Sequence, residues 1–271
     1  MSVKQSIKRF IPAPAWSLLR KTYSGLMHLP DLPGVYFHPW RRESMAYLAE
    51  LKDIHKGKRA FIIGNGPSLK KTNLGKLKDE FTFGLNRIYL MFPELGFVTT
   101  YFVSVNDLVI EQCTGDISAL PMPKFLSWRS HRFFPAGLRP ATFLYTTYDN
   151  PAFARDVRHR VWESATVTYV ALQLAFHMGF EQVVLVGVDH NSNIPGKANT
   201  TVVSQGDDPN HFHPGYFGKG FRWQLPDFEM SEIGYRLARQ AYELASREVL
   251  DATIGGKLTV FPKVDYASLF K

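Results

Sequence analysis

"RAFIIGNGPSLKKTNLGKL", Arg59 to Leu77, is the stretch whose reading decides the fold. Ala60–Ile63 is a short apolar run that reads as a buried strand, and it stops on Gly64-Asn65-Gly66-Pro67-Ser68. Glycines there let the main chain approach a ligand closely, and free N–H groups in such a turn can cradle a phosphate. The turn is not a Walker A loop, because no Gly-Lys-Ser/Thr follows four residues after the first glycine. Leu69 stands where a dinucleotide fingerprint needs its third glycine, which argues against a dehydrogenase. Lys70 and Lys71 read as solvent-facing, with Lys70 within reach of a phosphate.

Outward from this turn, short apolar strands alternate with helices. "FTFGLN" (Phe81–Asn86), "TTYFVSVND" (Thr99–Asp107) and "KFLSW" (Lys124–Trp128) read as the next strands. A helix is predicted from Thr166 to Met178, leading into the buried strand "QVVLVGVD" (Gln182–Asp189). A second long helix is predicted over Ser231–Leu250, with "KLTVF" (Lys257–Phe261) as a closing strand. This alternation predicts an α/β fold with a doubly wound, mainly parallel sheet. In such sheets the ligand sits beyond the carboxyl ends of the strands. Four strands end in polar groups there: Asn65 and Ser68, Asn86, Asn106 and Asp107, Asp189 and His190. The plainer alternative is that these are ordinary turn residues.

The chain has 271 residues, 45% hydrophobic and 21% charged, enough for one large domain with a core. Its single cysteine, Cys113, excludes an intrachain disulfide framework and a cysteine-rich zinc site, and a packed thiol in a reducing cytoplasm fits. The net charge of +8 is concentrated at the start. Met1–Arg59 holds eleven Lys/Arg against four Asp/Glu, so the remainder is close to neutral. A nucleic-acid-binding face spread over the molecule is not expected.

The first 29 residues carry five basic and no acidic side chains, and Trp16, Leu19, Tyr23, Leu26 and Met27 recur at helical spacing after Pro12-Ala13-Pro14. The apolar runs are too short to span a bilayer, and no signal-peptide core with a cleavage site is present. A basic amphipathic helix of this kind suits an anionic membrane surface. The alternatives are packing on its own domain or on a second copy in a homo-oligomer. "LPDLPGVYFHPWRRES" then reads as a connector, and Ser44–His55 as a helix with Met45, Leu48, Ala49 and Leu51 toward the core. The predicted division is a helical extension over 1–57 and a nucleotide-binding catalytic domain over 58–271.

The motifs "IIGNGPSL", "FGLNRIYL", "FVSVNDLVIEQ" and "ESATVTYVALQLAFHMGF" leading into "VVLVGVDH" together resemble the bacterial sialyltransferases of glycosyltransferase family 42. They also resemble proteins related to the archaeal 6-hydroxymethylpterin pyrophosphokinase. The resemblance covers about Arg59–Asp189. It implies a Rossmann-like domain that binds a CMP-linked sugar without a metal or a tightly bound cofactor. Gly64, Asn65, Gly66, Pro67 and Ser68 would hold the nucleotide and its phosphate, with Asn86 and Asp189 beside them. Asn106 would sit at the donor sugar, and Ser164 or Thr166 would offer a hydroxyl and a helix N-terminus. Two departures stand out. The tyrosine that steadies the departing phosphate in that family is replaced by Asn191, and the base histidine before the last long helix by Pro226-Asp227.

"DDPNHFHPGYFGKGFRW", Asp207–Trp223, is this chain's own constellation, read as an active-site lid near 205–224. His211 or His213 is the expected base, since an imidazole titrates near neutrality. Tyr216, Lys219 and Arg222 are expected to neutralise a leaving phosphate. A structural loop is the plainer reading. His131 and Arg132 read as a solvated turn, and His177 as a packed side chain.

Two reactions fit. The first is glycosyl transfer from a nucleotide sugar, CMP-linked by preference, to a glycan or lipid-linked acceptor in bacterial surface polysaccharide synthesis. The protein would then be cytoplasmic, peripheral on the inner face of the cell membrane. The second is ATP-dependent diphosphate transfer to a pterin-like alcohol, which needs Mg²⁺ and carboxylates, with Asp107, Asp189, Asp207 and Asp208 as candidate ligands. A nucleotide-binding scaffold is the non-enzymatic alternative.

Overall fold

The computed structural model describes Thr22 and residues 26–135, 141–191 and 195–271. The strands, in chain order, are β1 (Arg59–Ile63), β2 (Phe81–Leu85), β3 (Tyr101–Ser104), β4 (Lys124–Ser127), β5 (Thr142–Thr147), β6 (Arg160–Trp162), β7 (Gln182–Val186), β8 (Thr201–Val203), β9 (Arg222–Gln224) and β10 (Glu248–Asp251). Eight of them form one sheet in the order β10-β7-β1-β2-β3-β4-β5-β6, every pair parallel. β8 and β9 form a separate antiparallel hairpin. The fold is therefore the expected doubly wound, Rossmann-like α/β arrangement. From β1 the chain winds outward through β6, then returns to place β7 on the other side of β1. The order reverses at β1/β7, and such a switch point leaves a crevice at the carboxyl ends.

The helices are α1 (Leu32–Phe37), α2 (Pro39–Glu50), α3 (Phe92–Leu95), α4 (Asp107–Gln112), α5 (Thr114–Ala119), α6 (Val167–His177) and α7 (Phe228–Leu244). Alternate strand residues point to opposite faces of the sheet. Ile62, Phe83, Val103 and Leu185 pack with Tyr169, Leu172, Tyr235 and Tyr242 of α6 and α7. Phe61, Ile63, Phe102, Val184 and Val186 pack on the other face with Leu69, Ile88 and the hairpin aromatics Phe212, Tyr216, Phe217 and Trp223. His177 is buried, with Nε2 2.7 Å from Leu48 O, and Cys113 is a buried free thiol. Lys70 and Lys71 are exposed.

Several expectations are corrected. The connector is mostly helical, because Pro30, Pro33 and Pro39 all fall in first turns, where a proline costs no hydrogen bond. α2 consequently starts earlier than Ser44 and turns Arg41, Ser44 and Leu48 inward, while Ala49 is exposed. The second long helix ends at Leu244. Ser246 follows with φ 55°, and Glu248–Asp251 becomes the edge strand instead. Lys257–Phe261 is not a strand; that segment's only ladder contact among the described residues is the single Asp251–Lys263 bridge just beyond it. Strands β5, β6, β8 and β9 lie outside the apolar runs that read as strands in the sequence. Trp16, Leu19 and Tyr23 lie outside the described residues, whereas Leu26 and Met27 are each 59% exposed.

Candidate active site

The switch-point crevice is a cavity of about 580 Å³. Its floor is the Gly64–Gly66 turn and Gly187–His190, and its walls include Asn86, Asn106, Thr166, His211 and Tyr216. Gly66 N–H donates to Gly187 O at 2.9 Å, joining the ends of β1 and β7. A Cβ on residue 66 would meet Asp189 Oδ2 at 1.8 Å, so only glycine fits beside that carboxylate. Ser68 donates its N–H and its hydroxyl to Asp189, at 3.1 and 2.6 Å. Ser68 is thus buried behind the turn, shaping it, and Pro67 is on the exposed outer side.

Asn65 donates through Nδ2 to Leu85 O at 3.0 Å, while its buried Oδ1 has no hydrogen-bond partner among the described residues. A buried acceptor left unpaired is costly, and a ligand donor at this point would relieve it. Asn86 holds φ 48° and accepts from Ser104 Oγ at 3.0 Å. Asn106 caps α4, its Oδ1 accepting from the N–H groups of Leu108 and Val109 at 3.0 and 3.3 Å. Thr166 caps α6 by accepting from Thr168 N–H at 3.3 Å, so the first turn of an eleven-residue helix opens on the cavity. The N-terminal N–H groups of such a helix favour an anion. Ser164, by contrast, lies outside the cavity: it is fully buried and its hydroxyl donates to Met230 O at 2.7 Å.

The loop between β8 and β9 closes one side. Phe212 N–H donates to Asn65 O at 2.9 Å, and Arg87 grips the carbonyl oxygens of Gly215 and Tyr216. His211 Nδ1 lies 2.7 Å from Asp208 Oδ2, and its ring stacks on Tyr216 at 4.0 Å. Asp208 also accepts from the N–H groups of Asn210 and Phe217. This fixes the imidazole and leaves Nε2 for a substrate. Burial pushes the Tyr216 phenol well above its ordinary range. His213 is spent on Gly215 N–H at 3.0 Å, Arg222 pairs with Glu111 at 2.9 Å, and Lys219 is exposed; none of the three lines the cavity. Where the family resemblance would put a base histidine, Asp227 lines the cavity and caps α7 by accepting from Met230 N–H.

Sequence reading missed a charged group at the far wall. Arg129 donates to Glu163 at 2.7 Å, to Thr146 O at 2.8 Å and to the Tyr148 hydroxyl at 2.7 Å, and lies 3.3 Å from Asp107. Glu163 and Tyr148 line the cavity. Burial pushes the Glu163 carboxyl up, against the pull of Arg129. The signal was present: Arg129 follows the end of "KFLSW", where the strand-end rule already looks for site residues.

The four candidate metal ligands are not brought together. Asp107 accepts from Arg129 and from Ser130 Oγ, Asp189 from Ser68, and Asp208 from His211, while Asp207 is exposed on the loop. Among the described residues no three His, Cys, Asp or Glu side chains cluster to hold a metal ion. His131 stacks on Trp128 at 3.9 Å, away from the cavity.

A family model described as 6-hydroxymethylpterin diphosphokinase MptE-like matches residues 42–194. No curated protein matches the sequence. Among solved structures the chain is similar to the MAf glycosyltransferase from Magnetospirillum magneticum AMB-1, at 14% identity and a TM-score of 0.48. That similarity covers 93% of this chain and 42% of the other, so the chain spans less than half of that protein's length.

Proposed function

The chain belongs to the 6-hydroxymethylpterin diphosphokinase MptE-like family, and on that premise we propose that it is a transferase acting on a nucleotide-activated sugar. The carrying observation is that one cavity joins the Gly64–Gly66 turn, the N-terminus of α6 and the Asp208–His211 couple. The first two suit the phosphate of a donor, and the third suits deprotonation of an acceptor hydroxyl. His211 Nε2 takes the proton while Asp208 holds the ring and balances the imidazolium charge. Tyr216 backs that ring. We favour a CMP-linked donor, because a monophosphate leaving group makes the smallest demand for a metal, and the acceptor is a glycan or a lipid-linked sugar of a bacterial surface polymer.

Diphosphate transfer from ATP is the second reading, favoured by the family's description. Its Mg²⁺ would need carboxylates, and Asp107, Asp189 and Asp208 are already engaged by protein donors. These residues do not fit that ion as they stand.

Among the described residues no helix is long and apolar enough to cross a membrane. The basic start of the chain, continuing into the exposed Leu26 and Met27, supports a peripheral place on an anionic inner membrane surface.

Thermal shift with CMP, CTP, UDP and ATP, each with and without Mg²⁺, tests the reading. The expected result is stabilisation by the cytidine nucleotides that does not need Mg²⁺. Stabilisation by ATP only, and only with Mg²⁺, would favour diphosphate transfer instead.

A further inference from the structure

His190 on the cavity wall belongs to a second histidine–carboxylate couple, packed against the opposite face of the sheet from the first. His190 follows Asp189 at the end of β7, and its Nε2 lies 3.3 Å from Glu232 Oε1 on α7. The ring lies edge-on to Phe228 and Tyr235, with centroids at 4.7 and 6.0 Å, and the side chain is 8% exposed. Its backbone has φ 53°, a conformation that persists in a non-glycine residue only where the surroundings over-determine it. With Nε2 turned to Glu232, Nδ1 is the ring nitrogen left for the cavity that His190 lines.

The neighbours say what would meet it. Asp189, the preceding residue, holds Ser68 and abuts Gly66, so His190 sits at the corner of the phosphate turn. Lys257 serves the same corner: its N–H donates to Asp189 O and its Nζ reaches Asn191 Oδ1 at 3.4 Å. The charged and titratable groups around His190 are thus Glu232 and Tyr235 from α7, Asp189 from its own strand end, and Lys257 from the C-terminal segment, with Arg236 of α7 sharing the Glu232 carboxylate at 3.2 Å. An imidazolium beside Glu232 would present a cation to an anion at the turn.

We infer that His190 is a catalytic acid for the departing nucleoside phosphate, and that Glu232 is its positioning residue. The inference rests on the nucleotide-sugar reading above. In the transfer, the acceptor hydroxyl gives its proton to His211 Nε2 and its oxygen bonds to the anomeric carbon. The bond from that carbon to the phosphate oxygen breaks, its electron pair stays on that oxygen, and His190 Nδ1 delivers a proton there. His211 ends protonated and His190 neutral, and one proton exchanged through solvent resets both.

The test is calorimetric binding of cytidine and CMP to the full chain, in the wild type, His190→Gln and Glu232→Gln. Wild type should bind CMP at least about tenfold more tightly than cytidine near pH 6.5. His190→Gln should lose about tenfold in CMP affinity and leave cytidine unchanged. Glu232→Gln, on the outer side of the couple, should lose part of the CMP advantage and leave cytidine binding unchanged, a selectivity that a purely structural contact would not move. Equal losses for CMP and cytidine in His190→Gln, or no loss for either, would overturn the assignment while leaving the nucleotide site intact. If wild type binds neither compound, the nucleotide-sugar reading fails first, and this assignment falls with it.

Discussion

Ser68 donates both its main-chain N–H and its hydroxyl to the carboxylate of Asp189, 121 residues away. The pair locks the turn that opens the cavity and engages both oxygens of the carboxylate at its rim. Asp189→Ala leaves the buried Ser68 donors unpaired and should cost about 1–3 kcal/mol of stability. Gly66→Ala forces a methyl group into the same carboxylate, and nucleotide affinity should fall with it. Chemical denaturation and calorimetry on the two variants check both outcomes.

Asn65 is the point where a ligand donor gains most. Asn65→Ala should weaken nucleotide binding by about 1–3 kcal/mol, through loss of the Oδ1 acceptor and of the tie to Leu85 O. Unchanged affinity with an intact fold would remove the turn from the site.

The two histidines of the β8–β9 loop should separate sharply. His211→Ala should lower kcat by about two orders of magnitude or more, within the range of a positioned base, while nucleotide affinity stays nearly constant. Asp208→Asn should give a smaller fall of the same kind. His213→Ala, outside the cavity, should turn over near the wild-type rate. Equal defects in both histidine variants would make the loop structural.

Arg129 and Glu163 form a pair in which Glu163 is almost wholly buried. Glu163→Ala leaves the guanidinium with Asp107 as its carboxylate partner, beside Thr146 and Tyr148, and should destabilise the fold by about 1–3 kcal/mol through the lost charge-assisted hydrogen bond. Glu163→Gln keeps an acceptor and should cost less. Urea denaturation of the two variants side by side measures the difference.

Deleting residues 1–25 should spare the fold and nucleotide binding but abolish binding to anionic vesicles, an interaction that weakens with salt. The cut must stop there. Val35 and Arg41 are fully buried, so removal as far as Arg42 would open the core. Sedimentation with anionic vesicles at low and high salt is the assay, and full-length protein that ignores them at low salt would defeat the membrane reading.

The sheet and the crevice at its carboxyl edge were legible because buried parallel strands announce themselves as apolar runs. Asn65, Asn86, Asn106 and Asp189 then follow from one rule about strand ends, and all four line the cavity. What each does was not legible. Asn106 is a helix cap and Asp189 a brace, roles set by which N–H groups happen to face them. Ser164 looked like a site residue because it precedes a helix, but a fully buried residue with φ 44° points elsewhere. Arg129 with Glu163, and His190 with Glu232, were invisible as couples because their halves lie on different elements. The end of α7 was hidden for a local reason: Ser246 adopts a left-handed conformation that glycine would have advertised.

The sheet order carries a consequence for how the molecule is made. β1 pairs with β7, Arg59 opposite Gln182, and not with anything nearer on that side. A growing chain therefore holds its Gly64–Ser68 turn open-ended until the segment through Asp189 has been synthesised and can reach back. Such long-range closure is slow compared with helix formation. Binding competence should consequently arrive late and all at once, and nascent chains truncated before β7 should retain no nucleotide.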